Sequence, residues 1–154
     1  MKIVTWNVNS INARLEHLIK FIQSDNSDIY LLQELKCTND NFPLNEIKNI
    51  GYDCIINGQK AWNGVSILSK KSLKLISNKL PTYKEDNNSR FIETEIDLKK
   101  IKKKVKLINI YLPNGNPIET EKFEYKIKWM ENFNKYIVNH YQNNIPMIIG
   151  GDFN

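Results

Sequence analysis

The chain is poor in cysteine, arginine and histidine, and it has no long apolar run. Its two cysteines, Cys37 and Cys54, have no C-x-x-C spacing, which argues against a structural disulfide and fits a reduced, cytoplasmic setting. No stretch approaches the roughly 18 consecutive apolar residues of a membrane span, so no membrane partner is expected. The N-terminal "MKIVTWNVNS" lacks the charged and apolar blocks of a secretory signal. Of 22 basic residues only Arg14 and Arg90 are arginine; the other 20 are lysine, and Asn and Ile each occur 22 times. An AT-rich genome imposes that Lys/Asn/Ile excess on any protein. The net charge of +5 is therefore a weak nucleic-acid signal by itself. The densest run, "KKIKKKVK" from Lys99 to Lys106, reads as the solvated tip of a hairpin.

What is present describes one soluble α+β domain. The chain has 154 residues, 41% of them hydrophobic and 25% charged, with no internal repeat and no linker. "KIVTWNV" is a short strand, and Ile11, Leu15, Leu18, Ile19 and Ile22 then recur at helical spacing, predicting a helix over 11–24 with Ser10 as its cap. "DIYLLQEL" reads as a buried strand ending at Gln33-Glu34. "PLNEIKNIG" reads as a short helix started by Pro43 and stopped by Gly51. Strands follow in "YDCIIN", "NGVSILS", "LKLISN", "RFIETEIDL" and "KVKLINIYL", the fourth half-buried on its Ile92, Thr94, Ile96 and Leu98 face. "YKEDNNSR" is the expected mobile loop. After the loop "PNGNPIET", a helix from about Glu121 to Asn139 should turn Phe123, Ile127, Met130, Phe133, Tyr136 and Ile137 inward. "PMIIGG" is the last strand, with Gly150 and Gly151 allowing a sharp turn. Helices should cover a mostly antiparallel sheet.

Several strands end in polar residues of one chemical kind. Asn7, Glu34, Tyr111 with Asn114, and Asp152 with Asn154 all sit at strand exits, where a layered sheet converges on one rim. Two carboxylates, three amides and a phenol make an oxygen-ligand set. That set suits a hard cation such as Mg²⁺, with Mn²⁺ as a substitute; zinc would want Cys or His. His17 and His140 lie on helices, away from any strand end, and read as surface residues. A Mg²⁺ ion holds one or two protein carboxylates with water and substrate phosphate, which is the setting of phosphoryl chemistry.

Five stretches, in order and at matching separations, carry a resemblance: "TWNVNSINAR", "LLQELK", "NGVSILSK", "IYLPNGNPIETEKFEYKIKWM" and "IIGGDFN". Together they resemble the N-terminal part of the exonuclease III-type apurinic/apyrimidinic endonucleases of the endonuclease/exonuclease/phosphatase superfamily. The resemblance implies a four-layer α/β/β/α sandwich, of which residues 1–154 would be an incomplete domain truncated after "GDFN". It implies that Asn7, Glu34, Asp152 and Asn154 form the metal site, and that Tyr111, Asp152 and Asn154 are catalytic. Trp62, Arg90, Asn114 and Lys122 fall where the family meets DNA. The implied activity is Mg²⁺-dependent hydrolysis of DNA phosphodiesters, 5′ to abasic sites and at 3′ ends, by a monomer acting on duplex DNA.

Two other readings stand beside it. One is an inactive fragment; the other is a superfamily phosphodiesterase with a non-DNA substrate. The family continues beyond "GDFN" into a Ser-Asp-His motif, so the isolated chain is expected to lack the partner layer of one sheet. Exposed apolar surface would then make it aggregate or stay partly unfolded.

Overall fold

The computed structural model describes residues 1–98, 103–141 and 145–154. Its elements, in order, are β1 (Ile3–Asn7), α1 (Leu15–Asp25), β2 (Ile29–Gln33), α2 (Leu44–Asn49), β3 (Asp53–Asn57), β4 (Val65–Ser69), β5 (Leu73–Ser77), β6 (Phe91–Leu98), β7 (Lys103–Tyr111), α3 (Glu121–Tyr141) and β8 (Met147–Asp152). The strands form two four-stranded sheets, β1-β2-β4-β3 and β5-β6-β7-β8. Pairing is mostly antiparallel, as expected. The exceptions are β1 with β2 and β7 with β8, the two pairs joined through a long helix.

The period-2 alternation of the strands places each sheet between two apolar layers. Tyr30, Leu32 and Leu68 point from the first sheet toward Leu18 and Ile22 of α1 and Ile47 of α2. Ile29, Leu31, Val65 and Ile67 point the other way and meet Ile92, Ile96, Val105 and Leu107 of the second sheet. Phe91, Ile108 and Ile110 on that sheet's far face pack on Trp129 and Tyr136 of α3. The order is helix, sheet, sheet, helix. Both sheets are present and packed face to face, which corrects the expectation that one lacks its partner layer. Each fully buried Leu, Ile or Phe in these layers contributes about 1.5–3 kcal/mol of hydrophobic stabilisation.

Local chemistry sets several boundaries. The expected first helix begins as a 3-10 turn over Asn12–Arg14, where the Ser10 hydroxyl accepts the Ala13 N–H at 3.4 Å. α1 then ends at Asn26, whose left-handed backbone lets its N–H reach Ile22 O at 2.8 Å. Gly51, at φ +90°, closes α2 by donating to Lys48 O.

Other expectations are corrected by packing. Gly150 and Gly151 lie within β8 and make no turn. A Cβ on Gly150 would stand 2.6 Å from Leu31 Cδ1 across the sandwich, and one on Gly151 would stand 2.0 Å from Ile110 O. On α3, Ile127 and Met130 are exposed, and Trp129 takes the inward position. Glu93, on the face read as polar, is fully buried, with its carboxylate on Lys106 Nζ at 2.7 Å and on the Tyr136 hydroxyl. Lys106 is therefore an internal ion-pair partner, and Lys104 pairs with Glu95 at 2.9 Å; residues 99–102 of the lysine run lie outside the described residues. His140 is half-buried, its ring 4.1 Å from that of Tyr136, whereas His17 is exposed as expected. Among the described residues no helix is long and apolar enough to cross a membrane.

Candidate active site

The two parallel strand pairs place the polar residues of the rim. Parallel neighbours end on the same side, so β1 delivers Asn7 beside Gln33-Glu34 of β2, and β7 delivers Tyr111 opposite Asp152 of β8. β1 faces β8 across the sandwich, which brings the two sets together. Asn7 is the bracket between them. Its Nδ2 donates to Glu34 Oε1 at 2.7 Å and to Asp152 Oδ2 at 2.7 Å, while its Oδ1 accepts the Asn9 N–H at 3.0 Å.

Glu34 receives three side chains. Besides Asn7, the Tyr111 hydroxyl donates to its Oε1 at 2.7 Å, and Lys36 Nζ lies 3.0 Å from its Oε2. Burial alone would raise the carboxyl, but the bonds from Asn7, Tyr111 and Lys36 outweigh it and hold Glu34 below the usual carboxylate range. Burial, and next the hydrogen bond and charge of Glu34, push the Tyr111 phenol up to about 12, so it stays a neutral donor. Glu34 and Lys36 both adopt left-handed backbone, at φ 54° and 53°, which ordinary side chains visit rarely. The ladder that holds them runs from Ser10 N–H to Glu34 O, Leu35 N–H to Gly64 O and Lys36 N–H to Asn63 O.

The Asp152 carboxylate is set on both oxygens, since the Asn154 backbone N–H donates to Oδ1 at 2.9 Å. The Asn154 side chain turns away and donates to Leu112 O at 2.6 Å. The backbone of Asn154, more than its amide, therefore holds Asp152.

In front of this group lies a cleft of about 410 Å³. Glu34, Trp62, Arg90, Tyr111, Asn114 and Lys122 all line it, together with Lys36, Asn63 and Tyr125. Six of the nine residues singled out in the sequence thus share one cleft; Asn7, Asp152 and Asn154 do not line it, and are linked to Glu34 through the two Asn7 bonds and the Asn154 N–H on Asp152. Trp62 stands 71% exposed at the rim, free to stack on a flat partner. Arg90 does not extend into solvent; its guanidinium lies against the Tyr111 ring.

Sequence reading missed several residues that build the site. Lys36 follows Glu34 by two positions in the quoted "LLQELK", and Tyr125 stands one helical turn from Lys122 on α3. Gln33 and Asn109 were the polar interruptions of two apolar strands. Gln33 Nε2 donates to Asn109 Oδ1 at 2.7 Å, and Asn109 Nδ2 donates to Leu32 O and Ser66 O, tying the sheets together beside the site.

The donor set fits a hard divalent cation. Two carboxylates converge on a single amide donor, and no Cys or His stands among them.

Fold and site define a class: a four-layer α+β sandwich whose strand ends gather carboxylates, amides and a phenol at a basic cleft. Residues 4–154 match the Endonuclease/Exonuclease/phosphatase family, and the chain belongs to it. It is 33% identical, over its whole length, to exodeoxyribonuclease III of Haemophilus influenzae, of which it covers 57%. Among solved structures it is similar to a 3′ phosphatase, NExo, from Neisseria bound to a product DNA hairpin (TM-score 0.92, 33% identity, 100% of this chain and 58% of that one). It is also similar to an AP endonuclease from Archaeoglobus fulgidus (TM-score 0.87, 32% identity, 99% and 57%). The chain spans a little over half the length of these relatives.

Proposed function

We propose that the protein containing this chain is a Mg²⁺-dependent DNA-repair nuclease, acting as a cytoplasmic monomer on duplex DNA at abasic sites and 3′ ends. One observation carries the reading: Asn7 brackets Glu34 and Asp152 while Tyr111 donates to Glu34, and Glu34 and Tyr111 line a cleft together with Lys36, Arg90, Lys122 and Trp62. Glu34 and Asp152 would hold the cation, which when bound supplies charge neutralisation at the phosphoryl oxygens. Names of the relatives, an exodeoxyribonuclease, a 3′ phosphatase and an AP endonuclease, support the substrate class. Their greater length supports a domain larger than residues 1–154.

The chain's own groups divide the work of hydrolysis. Lys122 and Asn114 take backbone phosphates flanking the target, and Trp62 lies against the duplex. Such contacts read the backbone and its deformation, as a lesion without a base requires. Asp152, fixed through both oxygens, orients water opposite the leaving 3′ oxygen and accepts its proton. The new P–O bond forms as the P–O3′ bond breaks; the departing 3′ oxygen takes a proton from solvent water and Asp152 returns its own to solvent, leaving a 5′ phosphate and a 3′ hydroxyl. With its ring in place, the Tyr111 O–H can rotate from Glu34 to a phosphoryl oxygen and stabilise the charge that builds there.

The test is incision of a duplex carrying one abasic site, with a 3′-phosphate duplex alongside, by the 154-residue chain and by the full protein. Asp152→Asn should lower turnover by roughly 100-fold or more while DNA binding persists. Near-normal rates in that variant would overturn its assigned role. If neither form cuts either duplex under Mg²⁺, the nuclease reading fails.

A further inference from the structure

Arg90 enters β6 from the loop before it and stands half-buried on the cleft wall. Its guanidinium carbon lies 4.8 Å from the centre of the Tyr111 ring and 5.7 Å from that of Tyr125. Nη1 donates to Tyr111 O at 3.1 Å, and the Tyr111 N–H donates to Arg90 O at 2.9 Å, so the two residues are bound in both directions. Nε is buried without a hydrogen-bond partner. Among the described residues no carboxylate forms an ion pair with Arg90. A planar cation held by ring faces and one carbonyl is directed at the tyrosines and has little freedom to reach a phosphate.

Tyr125 is itself tethered. Its hydroxyl donates to Asp86 Oδ2 at 2.8 Å and accepts Asn88 Nδ2 at 3.1 Å, and Asn88 Oδ1 accepts Asn63 Nδ2 at 3.2 Å. The loop before Arg90, expected from sequence to be mobile, is thus pinned to α3 and to the Trp62 loop.

We propose that Arg90 and Tyr125 are positioning residues for Tyr111: two tyrosine rings clamp the guanidinium, and the clamp fixes the direction in which the Tyr111 phenol points into the cleft. The inference rests on the reading of Tyr111 as the donor to the reacting phosphate. It departs from the family pattern, under which Arg90 would be a direct DNA contact.

Arg90→Lys separates the two roles, because it keeps a cation for phosphate and loses the planar stack. In the full protein, Arg90→Lys and Tyr125→Leu should each lower kcat for abasic-duplex incision about tenfold, with KM within about twofold of the parent. Neither should lower kcat further in a Tyr111→Phe background. Lys122→Ala should instead raise KM and reduce the salt slope of DNA binding by about one. A phosphate contact at Arg90 predicts the reverse: full kcat in Arg90→Lys, with a raised KM and a flatter salt slope in Arg90→Ala. That result overturns the proposal.

A second readout needs no substrate. With ¹³C-labelled tyrosine, the Tyr111 Cζ resonance, assigned by its loss in Tyr111→Phe, should move in Arg90→Lys and in the milder Tyr125→Phe. An unmoved resonance in both overturns the clamp. A moved resonance in a protein that cuts no DNA supports the clamp and sinks the nuclease reading alone.

Discussion

Asn7 gives one amide to two carboxylates, and Glu34 takes three donors while its backbone is left-handed. Residues in such conformations persist only where their surroundings over-determine them, at a cost of about 1–3 kcal/mol each. Asn7→Ala removes both bonds at once, so it should raise the Mg²⁺ concentration needed for half-maximal activity, measured by metal titration. Glu34 also makes the site acid-sensitive. Its folded-state carboxyl is held below its unfolded value, so its stabilisation is complete above the unfolded value and is lost as pH falls through the folded one. The difference in melting temperature between the parent and Glu34→Gln should therefore be larger near about pH 7 than near about pH 3. Both thiols are held in their protonated form. Burial raises Cys37, and burial, then the Asp53 charge, pushes Cys54 up to about 12. Iodoacetamide at about pH 8 should label both slowly in the native protein and quickly once it is unfolded.

Among the elements, β8 shows how a motif can be legible while its reason is not. The sequence "IIGGDFN" marks a functional strand end, yet nothing local indicates that Leu31 of the opposite sheet occupies the space above Gly150, or that β7 runs against Gly151. Gly151→Ala, at φ +144° and against backbone, should cost well over about 1 kcal/mol and lower the melting temperature; a neutral result would contradict the close approach. Strand runs, the Pro43 and Gly51 boundaries of α2, and the rim residues were all readable, because each rests on local pattern. The buried face of α3 was readable only in part: Phe133, Tyr136 and Ile137 pack inward as their spacing predicts, whereas Ile127 and Met130 do not. Two overlapping stripes share helical spacing in its first half, and there Trp129, which was not expected inward, fills with Tyr136 the space over Phe91, Ile108 and Ile110. Glu93 was misread for the same reason, since its partners Lys106 and Tyr136 come from other elements.

At the scale of the whole molecule, the two sheets act as one body through their shared apolar layer and the Gln33–Asn109 bond. Replacing Asn109 with Leu removes the Gln33 contact between the sheets, though Gln33 keeps Thr5 Oγ1 and Leu31 O, and takes the Asn109 donor from the carbonyls of Leu32 and Ser66. It should destabilise the fold by about 1–3 kcal/mol, read from denaturant unfolding, and adding Gln33→Leu should recover part of the loss. Element order could be inferred from the residues, and the four layers only through the family resemblance. The pairing of each sheet across the sandwich could not, because it joins residues 76 positions apart in the case of Gln33 and Asn109.

The bracket at Asn7 joins the start of the chain to Asp152, 145 positions later. A ribosome releasing this chain exposes β1 and β2 first, and the opposing carboxylate arrives only when β8 seats against β7. Throughout synthesis the growing chain holds one half of the polar cluster and none of its alignment. A site organised this way has no geometry at any stage before its strands close, so its assembly is the last event of folding rather than the first.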